Sequence, residues 1–206
     1  VDRGALLRSG RSMLGVAMLH QATASADIFI LGAIATAADV AHYGVAQKIA
    51  TAFLLLHGAI TTAATPFMRG LAADRPLLSR YYHVVRRWTT IAALPFLAGC
   101  LAAPHLVLGV FGRKYAEGSG TPLVLLSIAG FILVASGPAG STLLCTGHAR
   151  QLFRVTAAGA IALVACVALL SPLGVGGIAA GVLAGRLIGR SLLLLTMRRY
   201  AEIPLV

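Results

Sequence analysis

Charge is what this sequence has least of: 11% of its 206 residues are Asp, Glu, Lys or Arg, about half the share of an ordinary soluble domain. With 58% hydrophobic residues and a mean hydropathy of +0.88, it is too apolar for a soluble domain. Acids are scarcer still: there are six, and Asp39, Asp74 and Glu117 stand alone with no clustered His or second carboxylate. That argues against acid–base chemistry, including a membrane-embedded glycosyl- or acyltransferase. Three cysteines, Cys100, Cys145 and Cys166, show no CxxC or Cys/His spacing and read as packing residues, so no metal site is expected. Asn is absent, which removes any N-glycosylation site, and no Gly-rich loop ends in GK[ST], which removes an ATP-driven mechanism. The expectation is a protein without cofactor or enzymatic activity. No cleavable signal peptide is evident, because the first apolar run is too long for one and is followed by others.

What the sequence has in quantity is long apolar runs without strand-like alternation. Each helix satisfies its own backbone in lipid, so the expected fold class is an all-α integral membrane protein, a six-transmembrane-helix bundle. The spans read as 13–35, 40–67, 88–110, 122–145, 153–170 and 175–197, with a basic lead-in at 1–12 and a tail at 198–206.

The net charge of +11 would suggest nucleic acid in a soluble protein. Its distribution points elsewhere. Twelve of the seventeen basic residues, from Arg3, Arg8 and Arg11 to Arg198 and Arg199, fall at the ends and in the even-numbered connections, against Arg113 and Lys114 on the opposite side. By the positive-inside rule both termini are cytoplasmic, and the partner is the bilayer rather than nucleic acid.

Two charges lie deep in the first two spans. Folding the chain at Thr36–Asp39 puts Asp27 and Lys48 at nearly equal depth, each roughly 12 Å from the turn at 1.5 Å per residue. A charge in lipid costs about 2.5 to 3.5 kcal/mol on insertion scales, so both should point into protein, where they pair or mark a pathway. His20 shares the face of Asp27 with Gln21 beside it, and Gln47 adjoins Lys48. His57 falls on another face. The bland alternative is a structural Asp27–Lys48 pair that sets hairpin geometry.

Further along, residues 71–87 read as an interfacial helix, with Tyr81, Tyr82 and Trp88 in the aromatic belt. Pro66 should end the second span, and Pro95 and Pro104 should kink the third. Gly137, Pro138 and Gly140 predict a broken segment of the cavity-lining kind. Gly177, Gly181, Gly185 and Gly189 form a ridge for close helix packing. Arg190 can snorkel to the surface, whereas Arg186 lies deeper and calls for a cavity.

The run Ala26-Asp27-Ile28-Phe29-Ile30-Leu31-Gly32, then Tyr43-Gly44-Val45-Ala46-Gln47-Lys48-Ile49-Ala50, then Pro66-Phe67-Met68 resembles the opening of the second lobe of O-antigen (Wzx-type) polysaccharide flippases in the MOP superfamily. Val110–Tyr115, Thr146-Gly147-His148 and Leu173–Ala180 resemble that family's later turns. The resemblance implies the C-terminal half of a twelve-helix transporter of the bacterial inner membrane, partnered by a missing N-terminal six-helix half. It implies translocation of an isoprenoid pyrophosphate-linked oligosaccharide by alternating access, with polysaccharide polymerase and glycosyltransferases as further partners. Asp27, Lys48, His20, Gln21, Gln47 and Arg186 are the candidate transport residues. A drug/cation antiporter of the same superfamily would favour a more acidic, aromatic cavity, and a non-transporting scaffold would leave the charges in the spans dispensable.

Overall fold

The computed structural model describes residues 14–201, except 16, 17, 20–22, 24, 117 and 118. The described chain is helical: α1 (Ser25–Ile34), α2 (Ala37–Gly70), α3 (Arg75–Ala102), α4 (Pro104–Gly109), α5 (Arg113–Ala116), α6 (Gly120–Ala135), α7 (Ala139–Cys145), α8 (Ala149–Leu170) and α9 (Gly174–Ala201). Four helical stretches are long and apolar enough to cross a membrane: α2, α3, α6 with α7, and the continuous run of α8 into α9. The protein is an all-α membrane protein.

The first turn is tight because its residues cap the next helix. Thr36 accepts a hydrogen bond from the Asp39 N–H at 3.2 Å, while the Asp39 carboxylate accepts from the Thr36 N–H at 3.2 Å and hydroxyl at 2.7 Å. This reciprocal box satisfies donors that a helix start otherwise leaves open. The same bonds hold the Asp39 carboxyl below its ordinary value. At the same end of the bundle, Ser171–Leu173 folds α8 back onto α9. The two turns flank an open cleft lined by Thr36, Asp39, Ser171 and Pro172.

The glycine ridge packs α9 on α8 in antiparallel register. A Cβ added at Gly181 would lie 2.7 Å from Val167 Cα, one at Gly185 would strike Leu163, and Gly189 faces Gly159. Bare glycines let the two backbones approach where any side chain would hold them apart.

The centre of the bundle is α6, which is apolar all round and largely buried, as an enclosed helix should be. It meets α2 where Phe53 lies across Gly130; a Cβ there would sit 2.8 Å from the ring. One core layer gathers Leu31, Tyr43, Leu123, Leu126, Val167 and Ile178, and another gathers Met68, Leu78, Tyr82, Leu143, Leu193 and Met197. A smaller cluster around Phe53, Ala93 and Val134 lies apart from both.

Two boundaries and one burial differ from expectation. Helix α2 runs through Pro66 to Gly70, since the ring removes one hydrogen bond near a helix end and Pro66 lies on the exposed side. Residues 75–87 are not a separate surface helix but the first half of α3, which is unbroken at Pro95 and stops before Pro104. Tyr82, expected at the headgroups, is fully buried, whereas Trp88 is 66% exposed.

Candidate functional site

Asp27 lies on α1, and only 3% of its surface is exposed. Its partners come from α2. The Tyr43 hydroxyl donates to Oδ2 at 2.6 Å, and Gln47 Nε2 donates to both carboxylate oxygens at 3.0 Å. The Ile28 N–H adds a contact to Oδ1 at 2.9 Å. Tyr43 and Gln47 are four residues apart, so they share one face of α2, and that face is turned toward α1.

Lys48 is not part of this arrangement. It is exposed, because one residue beyond Gln47 is a rotation of about 100° around the helix. The structural Asp27–Lys48 pair of the alternative reading does not form, and neutral donors stand beside Asp27 at that depth. Lys48 instead stands on an outward face with Ala41, Ala52, Leu55, Ala59 and Thr62, all exposed.

The cation that approaches Asp27 is Arg186 of α9, within electrostatic reach of both Asp27 and Tyr43. Tyr43 and Gln47 already occupy the carboxylate oxygens, and among the described residues Arg186 closes no ion pair with Asp27. Among the described residues no hydrogen bond occupies its N–H donors, and the side chain is partly exposed. One turn on, Arg190 lies within reach of Arg186 and Tyr82, so the two arginines form a short cationic ladder along α9.

A second polar cluster begins at Tyr82. The break between α6 and α7 at Ser136–Pro138 leaves carbonyls without helical partners. Tyr82 donates to the Ser136 carbonyl at 2.8 Å, and Arg86 Nε donates to the Ala135 carbonyl at 2.9 Å. Gly137 takes φ +60, and a Cβ there would lie 2.9 Å from Arg86 Cβ. The broken segment is therefore filled by protein from α3 and buried, whereas a cavity lining was expected. Like Tyr43 and Gln47, Tyr82 and Arg86 are an i, i+4 pair on an inward face.

Of the expected residues, the structure joins Asp27, Gln47 and Arg186 and separates Lys48. His20 and Gln21 lie outside the described residues. Sequence reasoning passed over Tyr43, Tyr82 and Arg86, although three polar i, i+4 pairs in apolar helices, Tyr43/Gln47, Tyr82/Arg86 and Arg186/Arg190, were a usable signal. Near the first turn, His42 Nδ1 meets Ser119 Oγ at 3.0 Å and its ring packs edge-on against Tyr115, tying the connection after α5 to α2.

No curated protein and no solved structure matches the chain. The family described as polysaccharide biosynthesis protein matches residues 4–119, a stretch that holds Asp27, the α2 donors, Lys48, Tyr82 and Arg86. That match covers more than half of the sequence, and the chain belongs to the polysaccharide biosynthesis protein family.

Proposed function

We propose that this protein is a transporter rather than an enzyme, one lobe of a flippase that moves an isoprenoid pyrophosphate-linked oligosaccharide across the bacterial cytoplasmic membrane by alternating access. The observation that carries the reading is Arg186, a cation within membrane-crossing helices held near Asp27 without being neutralised by a direct ion pair. A pyrophosphate crossing lipid needs planar, fixed donors of this kind, and guanidinium groups bind phosphate oxygens in pairs. In this reading Arg186 receives the pyrophosphate, Arg190 extends the path toward the arginine-rich end, and Asp27 restrains Arg186 when no substrate is present. Lys48 belongs to the same lumen but reaches it from the outward face of α2, which a second six-helix lobe would face. The arginine-rich end is cytoplasmic by the positive-inside rule. The energy source is an ion gradient, the membrane potential or substrate flux, and Asp27 is the site of a coupling proton or cation.

The test is Arg186→Ala and Lys48→Ala in the full-length protein. Polymer export should be lost at unchanged protein level, with lipid-linked oligosaccharide accumulating on the cytoplasmic side. Export at the wild-type rate would remove the substrate role of that residue. Asp27→Asn should alter the pH or ion dependence of transport, and an unchanged profile would leave Asp27 a structural role only.

A further inference from the structure

Helix α3 turns outward a stripe that carries two arginines and a tryptophan. Leu77, Arg80, Val84, Arg87, Trp88 and Ile91 fall within an arc of about 100°, and all six are exposed. Trp88 stands out at 66%. Apart from its arginines the stripe is bulky and apolar, and Leu94 and Leu101 flank it further along the helix, a texture that suits contact with acyl chains.

Among the described residues no acid answers the two arginines. Neither forms an ion pair among the described residues, and the nearest carboxylate in sequence, Asp74, accepts from the Leu77 N–H at 3.0 Å as the cap of α3. With 28 residues, α3 is about 42 Å long and exceeds the roughly 30 Å hydrocarbon core by some eight residues. If Ala102 marks one boundary, the other falls at about Tyr82. Arg80 then lies in the headgroup layer, and Arg87 is about 8 Å inside it, a distance a snorkelling guanidinium spans.

We propose that this stripe binds an anionic glycerophospholipid, its phosphate held by Arg80 and Arg87 and its glycerol–acyl junction lying against Trp88. The inference does not depend on what the protein transports.

Trp88 is the only tryptophan in the chain, so it reports on this site alone. The full chain is reconstituted in phosphatidylcholine vesicles that carry a minor fraction of brominated phosphatidylglycerol or, in parallel, brominated phosphatidylcholine. Brominated phosphatidylglycerol should quench Trp88 at a severalfold lower fraction, since a basic residue at the surface enriches anionic lipid by about fivefold, and added salt should narrow the gap. In R80Q/R87Q the two quenching curves should coincide, while R80K/R87K and R198Q/R199Q should keep them apart. Coincident curves in the wild type overturn the proposal even if the glutamine variant fails to fold. So do curves that stay apart in R80Q/R87Q, a gap lost equally in R198Q/R199Q, or a Trp88 that neither lipid quenches because protein covers it.

Discussion

Removing one hydroxyl, by Tyr43→Phe, separates the observed network from the charge pair that depth alone suggests. The Tyr43–Asp27 bond is 2.6 Å long and fully buried. Neutral hydrogen bonds between membrane helices are worth about 0.6 kcal/mol on average and at most about 1.7 in bacteriorhodopsin. A charged acceptor roughly doubles that worth. Asp27 keeps its two contacts to Gln47 in the variant, so the carboxylate is not orphaned. A loss of about 1 to 3 kcal/mol is expected. Lys48→Met changes an exposed side chain outside the network and should cost less than about 0.5 kcal/mol. Unfolding in mixed micelles, followed by circular dichroism and by Trp88 fluorescence, measures both. Pairing each substitution with Asp27→Asn completes two double-mutant cycles. Coupling of about 0.5 kcal/mol or more is expected for Tyr43 and none for Lys48. Equal costs, or coupling to Lys48 in place of Tyr43, would refute the geometry.

Two alanine substitutions in α9 should act with opposite sign. At Gly181 the new methyl meets the Val167 backbone at 2.7 Å and should destabilise by about 1 to 3 kcal/mol. At Gly176 nothing lies within 4 Å, and removing a helical glycine should stabilise by roughly 0.5 to 1 kcal/mol; melting temperatures that move together would contradict the packing. Gly137→Ala adds strain at φ +60 to a clash with Arg86 and should lower folded yield more than Gly140→Ala, whose nearest neighbour is at 3.7 Å. Asp39 gives a pH dependence of known sign. Its folded pKa lies below the unfolded value of 3.8, so its stabilisation is present above that pH and fades as pH falls through the folded value. Asp39→Asn should flatten the acid limb of a stability profile there, and an unchanged limb would rule out the cap as its source.

Much of this protein is legible without a fold. Lipid offers no partners to backbone N–H and C=O groups, so apolar runs of sufficient length become helices wherever they occur. Thr36 and Asp39 announce the turn that they cap, and the four-residue spacing of Gly177 to Gly189 announces a ridge. Depth along a helix is linear in residue number, which is why Asp27 was placed beside the third turn of α2. Rotation about the axis is less forgiving. A single residue turns a side chain by about 100°, and at that depth the face toward Asp27 carries Tyr43 and Gln47 while Lys48 points outward. Period and composition likewise cannot say which neighbour fills a gap. That the glycine ridge meets α8, that Arg186 comes to Asp27 from about 160 residues away, and that Tyr82 and Arg86 close the break in α6 are decided by long-range packing. Only packing determines which polar groups share one buried volume, and there an unmet donor or acceptor costs most.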